Sequence, residues 1–205
     1  MHFQNRIPRY GLPFKTANYF EREKPNVKTK VKTSPILRLT YAAVCLALCM
    51  VLPFLTGQIP EIGSALCPMH IPVLLAGFLC GPWWALAVGA VAPLLRFALF
   101  GMPPLFPTGT AMCFELAAYG LVSGILYRKL PKKAFHVYVA LIAAMLAGRV
   151  VWGVVMVALM GLSSSAFTWA AFMAGAFVNA VPGIIVHIIL IPIIVLALRK
   201  AGLAD

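Results

Sequence analysis

Six polar side chains interrupt otherwise apolar stretches of the sequence, and these are the residues that could bind a ligand. They are two arginines, a glutamate, an asparagine and two histidines: Arg96, Arg149, Glu115, Asn179, His70 and His187. A charge in the middle of a bilayer costs on the order of 3 kcal/mol or more, so such side chains usually face a cavity or a partner. Trp152 follows Arg149 by three residues and shares its helix face. The set predicts a polar small-molecule pocket with an aromatic wall.

Each of these residues also has a purely structural interpretation. Arg96 could extend its side chain to the outer headgroups, and Glu115 could serve only as the partner of Arg96 or Arg149. Asn179 could join two helices by a hydrogen bond. Arg149 is the hardest to explain in this way, because the middle of a span is too far from the headgroups. If Glu115 pairs with Arg96, Arg149 is left to bind the ligand.

The sequence contains no residue pattern that is typical of catalysis or of metal binding. The histidines and the five cysteines lack metal-ligand spacing, and no nucleotide-binding loop occurs. We therefore expect no enzymatic activity, no metal and no cofactor. The cysteines are interpreted as small packing residues of membrane helices.

The overall composition indicates a membrane protein. The chain has 205 residues, of which 62% are apolar and 11% are charged. Soluble domains carry roughly 45–50% apolar and ~25% charged residues, and a soluble core of this length could not bury so much apolar surface. The composition excludes an ordinary soluble enzyme, a disulfide scaffold and a disordered chain. It predicts an all-α polytopic membrane protein.

Six apolar blocks follow the polar first 35 residues, and each block predicts a transmembrane helix. The blocks cover residues 37–55, 69–80, 83–100, 108–127, 137–160 and 167–198. The second block is shorter than the roughly 20 residues that a span requires, so it predicts a short or tilted helix. We therefore divide the chain into a basic, flexible cytoplasmic tail over residues 1–35 and a six-span membrane domain over residues 36–200.

The positions of the lysines and arginines predict the orientation. Of 17 such residues, 15 lie before residue 39, in the loop 128–133 or at the C-terminal end. The other loops contain none. Because cytoplasmic loops carry an excess of positive charge, we expect both termini in the cytoplasm and the pocket open to the outside. The same rule explains the net charge of +12, so no nucleic-acid partner is expected. The lipid bilayer is the partner that the basic tail would contact.

Several stretches of the membrane domain carry a family pattern. The first span contains the run Ala43-Val-Cys-Leu-Ala47, whose small residues, four apart, let another helix approach closely. The other stretches are residues 69–82, 93–104 and 114–120. With these features, residues 36–200 resemble the substrate-binding S components of energy-coupling factor (ECF) vitamin transporters, or a subgroup of them.

The resemblance implies the partners and the binding residues. S components are multi-pass proteins of bacterial plasma membranes that bind a vitamin or vitamin precursor with high affinity. They dock on a transmembrane scaffold subunit that works with two ATPase subunits, and here the docking face would include Ala43 and Ala47. Together with the intramembrane polar set, the family pattern predicts these substrate-binding residues: Glu61, His70, Arg96, Glu115, Arg149, Trp152 and Asn179.

The charges inside the spans suggest the substrate. Two arginines against one glutamate leave a surplus of one positive charge, which suits a substrate with a carboxylate. Pantothenate is our first prediction, with pyridoxine or hydroxymethylpyrimidine second. The alternative function is that of a self-sufficient secondary transporter or channel for a small organic anion. Against it, the sequence shows no inverted repeat of broken helices and no second acid inside the spans for proton coupling.

Overall fold

A computed structural model describes residues 34–56, 59–162 and 168–203 of the chain. Within these ranges the chain forms no strand, which confirms the predicted all-α class. The helices are α1 (Pro35–Val51), α2 (Pro60–Leu66), α3 (His70–Leu79), α4 (Pro82–Phe100), α5 (Thr110–Lys129), α6 (Ala134–Leu162), α7 (Trp169–Met173) and α8 (Val181–Lys200). Apart from its last two residues, the predicted tail 1–35 lies outside the described residues.

In the described part of the chain, five helical segments are long and apolar enough to cross a membrane. They are Pro35–Leu55, Pro82–Phe100, Leu105–Lys129, Ala134–Gly161 and Trp169–Lys200. These segments match the first and the third to sixth predicted spans, so the chain is a polytopic membrane protein. The total of six spans and the cytoplasmic location of the termini stay predictions.

The second predicted span forms the short helix α3. It has ten residues, and at ~1.5 Å per residue it is about 15 Å long, half of the ~30 Å that a hydrocarbon core measures. Most of its residues are buried, from His70 at its start to Phe78 near its end. The helix is therefore enclosed by its neighbours, and this explains why its sequence is apolar although it is too short for a span.

Two segments differ in detail from the predicted pattern. The loop predicted over residues 56–68 contains α2, which begins at Pro60. Proline is favoured in a first turn because its missing N–H group would have no helical partner there. The last predicted span is interrupted at Asn179, three residues before Pro182, which lies in the first turn of α8. Pro192 lies inside α8 without ending it.

Glycines let α4 and α5 pack almost backbone to backbone. A Cβ atom added at Gly89 would overlap the carbonyl oxygen of Leu116, and one added at Gly120 would overlap the carbonyl oxygen of Ala85. Such small residues are the usual means by which membrane helices approach closely, because lipid provides no hydrophobic force between them. The α4–α5 pair is thus a rigid support for the polar residues that both helices carry.

On its other side, α5 packs against α6 through Gly148. A Cβ atom at this position would overlap the aromatic ring of Tyr119, which is 1% exposed. The bare backbone of α6 therefore accommodates this ring. The next residue is Arg149, so the close approach at the glycine also brings the arginine side chain to α5.

Candidate functional site

Six of the seven predicted binding residues line a single cavity of about 370 Å³. They are His70, Arg96, Glu115, Arg149, Trp152 and Asn179. The cavity is near the lower end of the roughly 300–1,000 Å³ that small-molecule pockets occupy. The seventh residue, Glu61, lies in α2, and its side chain is outside the described part of the structure. Two residues close to it in the sequence, Ile59 and Gly63, line the cavity.

Glu115 is the acceptor at the centre of this site. It is 1% exposed, and its Oε1 atom lies 2.8 Å from Nη1 of Arg149. The hydroxyl of Tyr119, one turn later on α5, donates to the same oxygen at 3.0 Å. A buried carboxylate needs such partners because taking an isolated charge out of water is very costly. The site thus contains a buried ion pair whose carboxylate also accepts from a second, neutral donor.

Of the two partners that the sequence left open for Glu115, Arg149 is the one in contact and Arg96 is not. Arg96 is 3% exposed and its Nη1 atom donates to the carbonyl oxygen of Met50 at 3.0 Å. Its guanidinium carbon lies 5.5 and 5.2 Å from the centres of two aromatic rings, those of Phe54 and Phe100. Aromatic faces and carbonyl dipoles stabilise a cation without neutralising it. Arg96 therefore has no acidic partner among the described side chains.

Cys67 contacts Arg149 from the turn between α2 and α3. Its Sγ atom is 3.7 Å from Nη2 of the arginine. The residue has φ 47° and ψ 53°, in the left-handed region, and its N–H group bonds to the carbonyl oxygen of Gly63 to end α2. A residue other than glycine is uncommon in this conformation. The left-handed turn, rather than helix packing, brings the thiol to the site.

His70 is the polar residue of the site with unsatisfied hydrogen-bonding groups. It is 3% exposed, and within the described ranges neither ring nitrogen has a hydrogen-bond partner. Its Nε2 atom is 3.6 Å from Oε1 of Glu115, which is too long for a good hydrogen bond. The ring packs against Tyr119 and stacks on His187. Both nitrogens are thus enclosed by protein atoms without a hydrogen bond, which is uncommon for buried polar groups.

Trp152 and Asn179 complete the wall that α6 and the last helical segment provide. The indole of Trp152 stacks on Phe172, with ring centres 6.2 Å apart. A Cβ atom at Gly175 would lie 2.8 Å from the indole, so the glycine leaves room for this ring. Asn179 lies in the turn between the π-helical segment Ala174–Val178 and α8, and it lines the cavity.

Two residues that contact the ion pair were not predicted from the sequence. Tyr119 follows Glu115 by four residues, and this spacing places both on one helix face, so a signal was present. Cys67 had no such signal, since cysteine is common in the apolar segments and its contact depends on a turn conformation. His187 stacks on His70 but is not part of the cavity lining.

The comparison with known proteins identifies the family. A family model described as "ECF transporter, substrate-specific component" matches residues 37–195. No curated protein and no solved structure matches the chain. The matched range covers well over half of the sequence and contains the ion pair, Arg96 and the rest of the described cavity lining. Members of this family are transporter subunits, not enzymes. The chain therefore belongs to the family of ECF transporter substrate-specific components, multi-pass membrane subunits that bind a small-molecule substrate for an ECF module.

Proposed function

We propose that this chain binds pantothenate from outside a bacterial cell and delivers it through an ECF module made of a transmembrane scaffold subunit and two ATPase subunits. The observation that carries the choice of substrate is the charge balance of the cavity. Glu115 neutralises Arg149 at 2.8 Å, whereas the described partners of Arg96 are a carbonyl oxygen and two aromatic rings. Among the described side chains, one positive charge therefore remains in the cavity wall for an anionic ligand.

The carboxylate of the ligand is assigned to Arg96. A guanidinium group has five N–H donors, and one nitrogen of Arg96 is used by the carbonyl oxygen of Met50. A carboxylate that accepts from the other donors gains charge-assisted hydrogen bonds, which contribute roughly 1.5–3 kcal/mol each. Pyridoxine and hydroxymethylpyrimidine have no carboxylate, so they would leave this cation uncompensated.

The remaining lining suits the body of pantothenate. The molecule carries an amide, two hydroxyl groups and a pair of methyl groups beside its carboxylate. The imidazole of His70 and the amide of Asn179 contribute polar residues to the cavity wall. Met112 and Trp152 add apolar surface. A cavity of about 370 Å³ favours such a compact molecule over a large planar ring system.

The test is calorimetric titration of the purified protein. The ligands are pantothenate, panthenol (the analogue with an alcohol in place of the carboxylate), pyridoxine and hydroxymethylpyrimidine. We expect pantothenate to bind most tightly. Loss of one or two charge-assisted bonds at roughly 1.5–3 kcal/mol, with ~1.4 kcal/mol per decade of affinity, should weaken panthenol about tenfold to a few hundredfold.

A variant and its control separate the role of Arg96 from general folding. Arg96→Gln should weaken pantothenate by a similar factor and leave panthenol nearly unchanged. Lys133→Gln removes a positive charge outside the cavity lining and should change neither affinity. Tighter binding of a neutral vitamin, or equal binding of acid and alcohol by the wild type, would contradict the proposal. Mass spectrometry of the small molecule that co-purifies with the protein gives an independent identification.

A further inference from the structure

Two phenylalanine rings border the guanidinium group of Arg96, and neither was among the predicted site residues. Phe54 lies in the 3₁₀ segment Leu52–Thr56 that follows α1, and Phe100 is the last residue of α4. Their ring centres lie 5.5 and 5.2 Å from the guanidinium carbon. The rings also contact each other edge to face, with centres 5.1 Å apart and planes at 85°. We call these two rings the aromatic bracket of Arg96.

Two different parts of the fold bring the rings to Arg96. Phe100 follows Arg96 by four residues, and this spacing brings both side chains to one face of α4. Phe54 comes from the end of α1, so its contact with Arg96 joins two helices. The bracket therefore fixes the guanidinium between the end of α1 and the end of α4.

The backbone just before Phe54 provides a third contact to Arg96. In a 3₁₀ segment each N–H group bonds to the carbonyl oxygen three residues earlier, and for position 53 this is the carbonyl of Met50. Pro53 has no N–H group and cannot make this bond. The carbonyl oxygen of Met50 accepts instead from Nη1 of Arg96 at 3.0 Å. One short stretch of the chain thus provides both a carbonyl acceptor and an aromatic face.

Burial indicates what the bracket does for Arg96. The arginine is 3% exposed, whereas Phe54 and Phe100 are 43% and 39% exposed. The rings therefore form part of the cover that separates the guanidinium from the surface of the bundle. Arg96 lies four residues before the end of α4, about 6 Å along the helix axis, and an arginine so close to a membrane surface tends to extend toward the headgroups. Removing the rings would open this route away from the cavity.

We propose that the aromatic bracket holds the guanidinium of Arg96 toward the cavity and thereby determines the preference for a ligand with a carboxylate. This inference rests on the proposed function, which assigns the carboxylate to Arg96. Phe54 and Phe100 are positioning residues, since neither is among the described residues that line the cavity. Aromatic faces attract a cation without neutralising it, so the charge of Arg96 stays available to the ligand. An acidic partner would also hold the guanidinium but would cancel that charge.

The measured quantity is the ratio of the dissociation constants of panthenol and pantothenate, obtained by calorimetric titration. Leucine keeps apolar bulk but removes the aromatic face. Phe54→Leu and Phe100→Leu should each lower the ratio about two- to fivefold, and the double variant about five- to twentyfold, by weakening pantothenate. Phe54→Tyr keeps the ring and should keep the ratio within about twofold of wild type. A general loosening of the fold would weaken both ligands alike and leave the ratio unchanged.

Two controls show whether the rings act through Arg96. Phe97→Leu, on the same helix and at a side chain that is 37% exposed, should keep the wild-type ratio. In an Arg96→Gln background, replacing both rings should change the ratio no further. The single variants provide the same comparison if the double variant does not fold.

The outcomes separate this inference from the proposed function on which it rests. A wild-type ratio in the Phe54→Leu/Phe100→Leu variant would overturn the inference alone, provided that the wild type prefers the acid. An equal loss in Phe97→Leu, or a further loss in the Arg96→Gln background, would do the same. Equal binding of acid and alcohol by the wild type would overturn the proposed function and this inference together.

Discussion

Arg149 on α6 places its Nη1 atom 2.8 Å from Oε1 of Glu115 on α5, and both side chains are almost fully buried. The hydroxyl of Tyr119 supports the carboxylate and the thiol of Cys67 contacts the guanidinium. An ion pair with such partners on both sides joins two neighbouring helices inside the cavity wall. We infer that this pair mainly supports the site, and that Arg96 provides the charge that selects the ligand.

Replacing Glu115 with glutamine should destabilise the protein strongly. Removing one partner of a buried pair typically costs about 3–5 kcal/mol, because the other charge is left uncompensated. The double variant Glu115→Gln with Arg149→Met should regain much of this loss. The measurement is a double-mutant cycle on the free energy of unfolding in detergent. Single losses that simply add would show that the two residues do not depend on each other.

Removing the hydroxyl of Tyr119 should have a smaller effect. Tyr119→Phe keeps the ring that fits against Gly148 but removes the 3.0 Å bond to Glu115. A hydrogen bond to a charged group contributes roughly 1.5–3 kcal/mol, and the unfolding free energy should fall by about that amount. Tyr138→Phe, at a partly buried position of α6, is the matched control and should cost about 0.5 kcal/mol or less. Equal losses in both variants would contradict the assigned role of the hydroxyl.

Gly148 should be intolerant of a methyl group, whereas Gly161 on the same helix should accept one. A Cβ atom at Gly148 would overlap the buried ring of Tyr119, and one at Gly161 would meet nothing within 4 Å. Overpacking a tight contact costs about 1–3 kcal/mol, while alanine in an open helical position is neutral or slightly stabilising. Thermal unfolding of Gly148→Ala and Gly161→Ala compares the two. A stable Gly148→Ala protein would show that α5 and α6 can separate without cost.

The face of α1 that carries Ala43 and Ala47 should be needed for transport but not for binding. Both residues are exposed on the described surface, and small side chains there permit close helix approach. Replacing both with leucine should abolish uptake by the complete module while the ligand affinity stays within about twofold of wild type. Ala158→Leu, at an exposed position of α6, should leave uptake intact. Full uptake by the Ala43/Ala47 double variant would mean that another face docks.

The isolated chain should bind its substrate without accumulating it. Its sequence contains no nucleotide-binding loop, so concentrative uptake should require the ATPase subunits. Liposomes that contain the chain alone should therefore show no uptake above equilibrium, with or without ATP, and addition of the scaffold and ATPase subunits should restore it. Accumulation by the lone chain in a proton or sodium gradient would instead support a secondary transporter.

The sequence alone determined the membrane class, the helical segments and the choice of polar residues. Hydrophobicity acts locally, because in lipid each segment must satisfy its own backbone by forming a helix. The five long apolar helices therefore lie where the composition predicts them. The high cost of a charge inside a membrane likewise singled out Arg96, Glu115 and Arg149, which line one cavity. Their role in binding pantothenate stays a prediction.

Only the tertiary structure decided which charges pair. The sequence left both Arg96 and Arg149 open as partners of Glu115, because a position along a span does not show which helix faces meet. The close approach of α6 to α5 at Gly148 brings Arg149 to the carboxylate. Similarly, the contact of Cys67 depends on a left-handed turn. Such contacts arise from residues far apart in the chain, and their geometry depends on packing that no local pattern encodes.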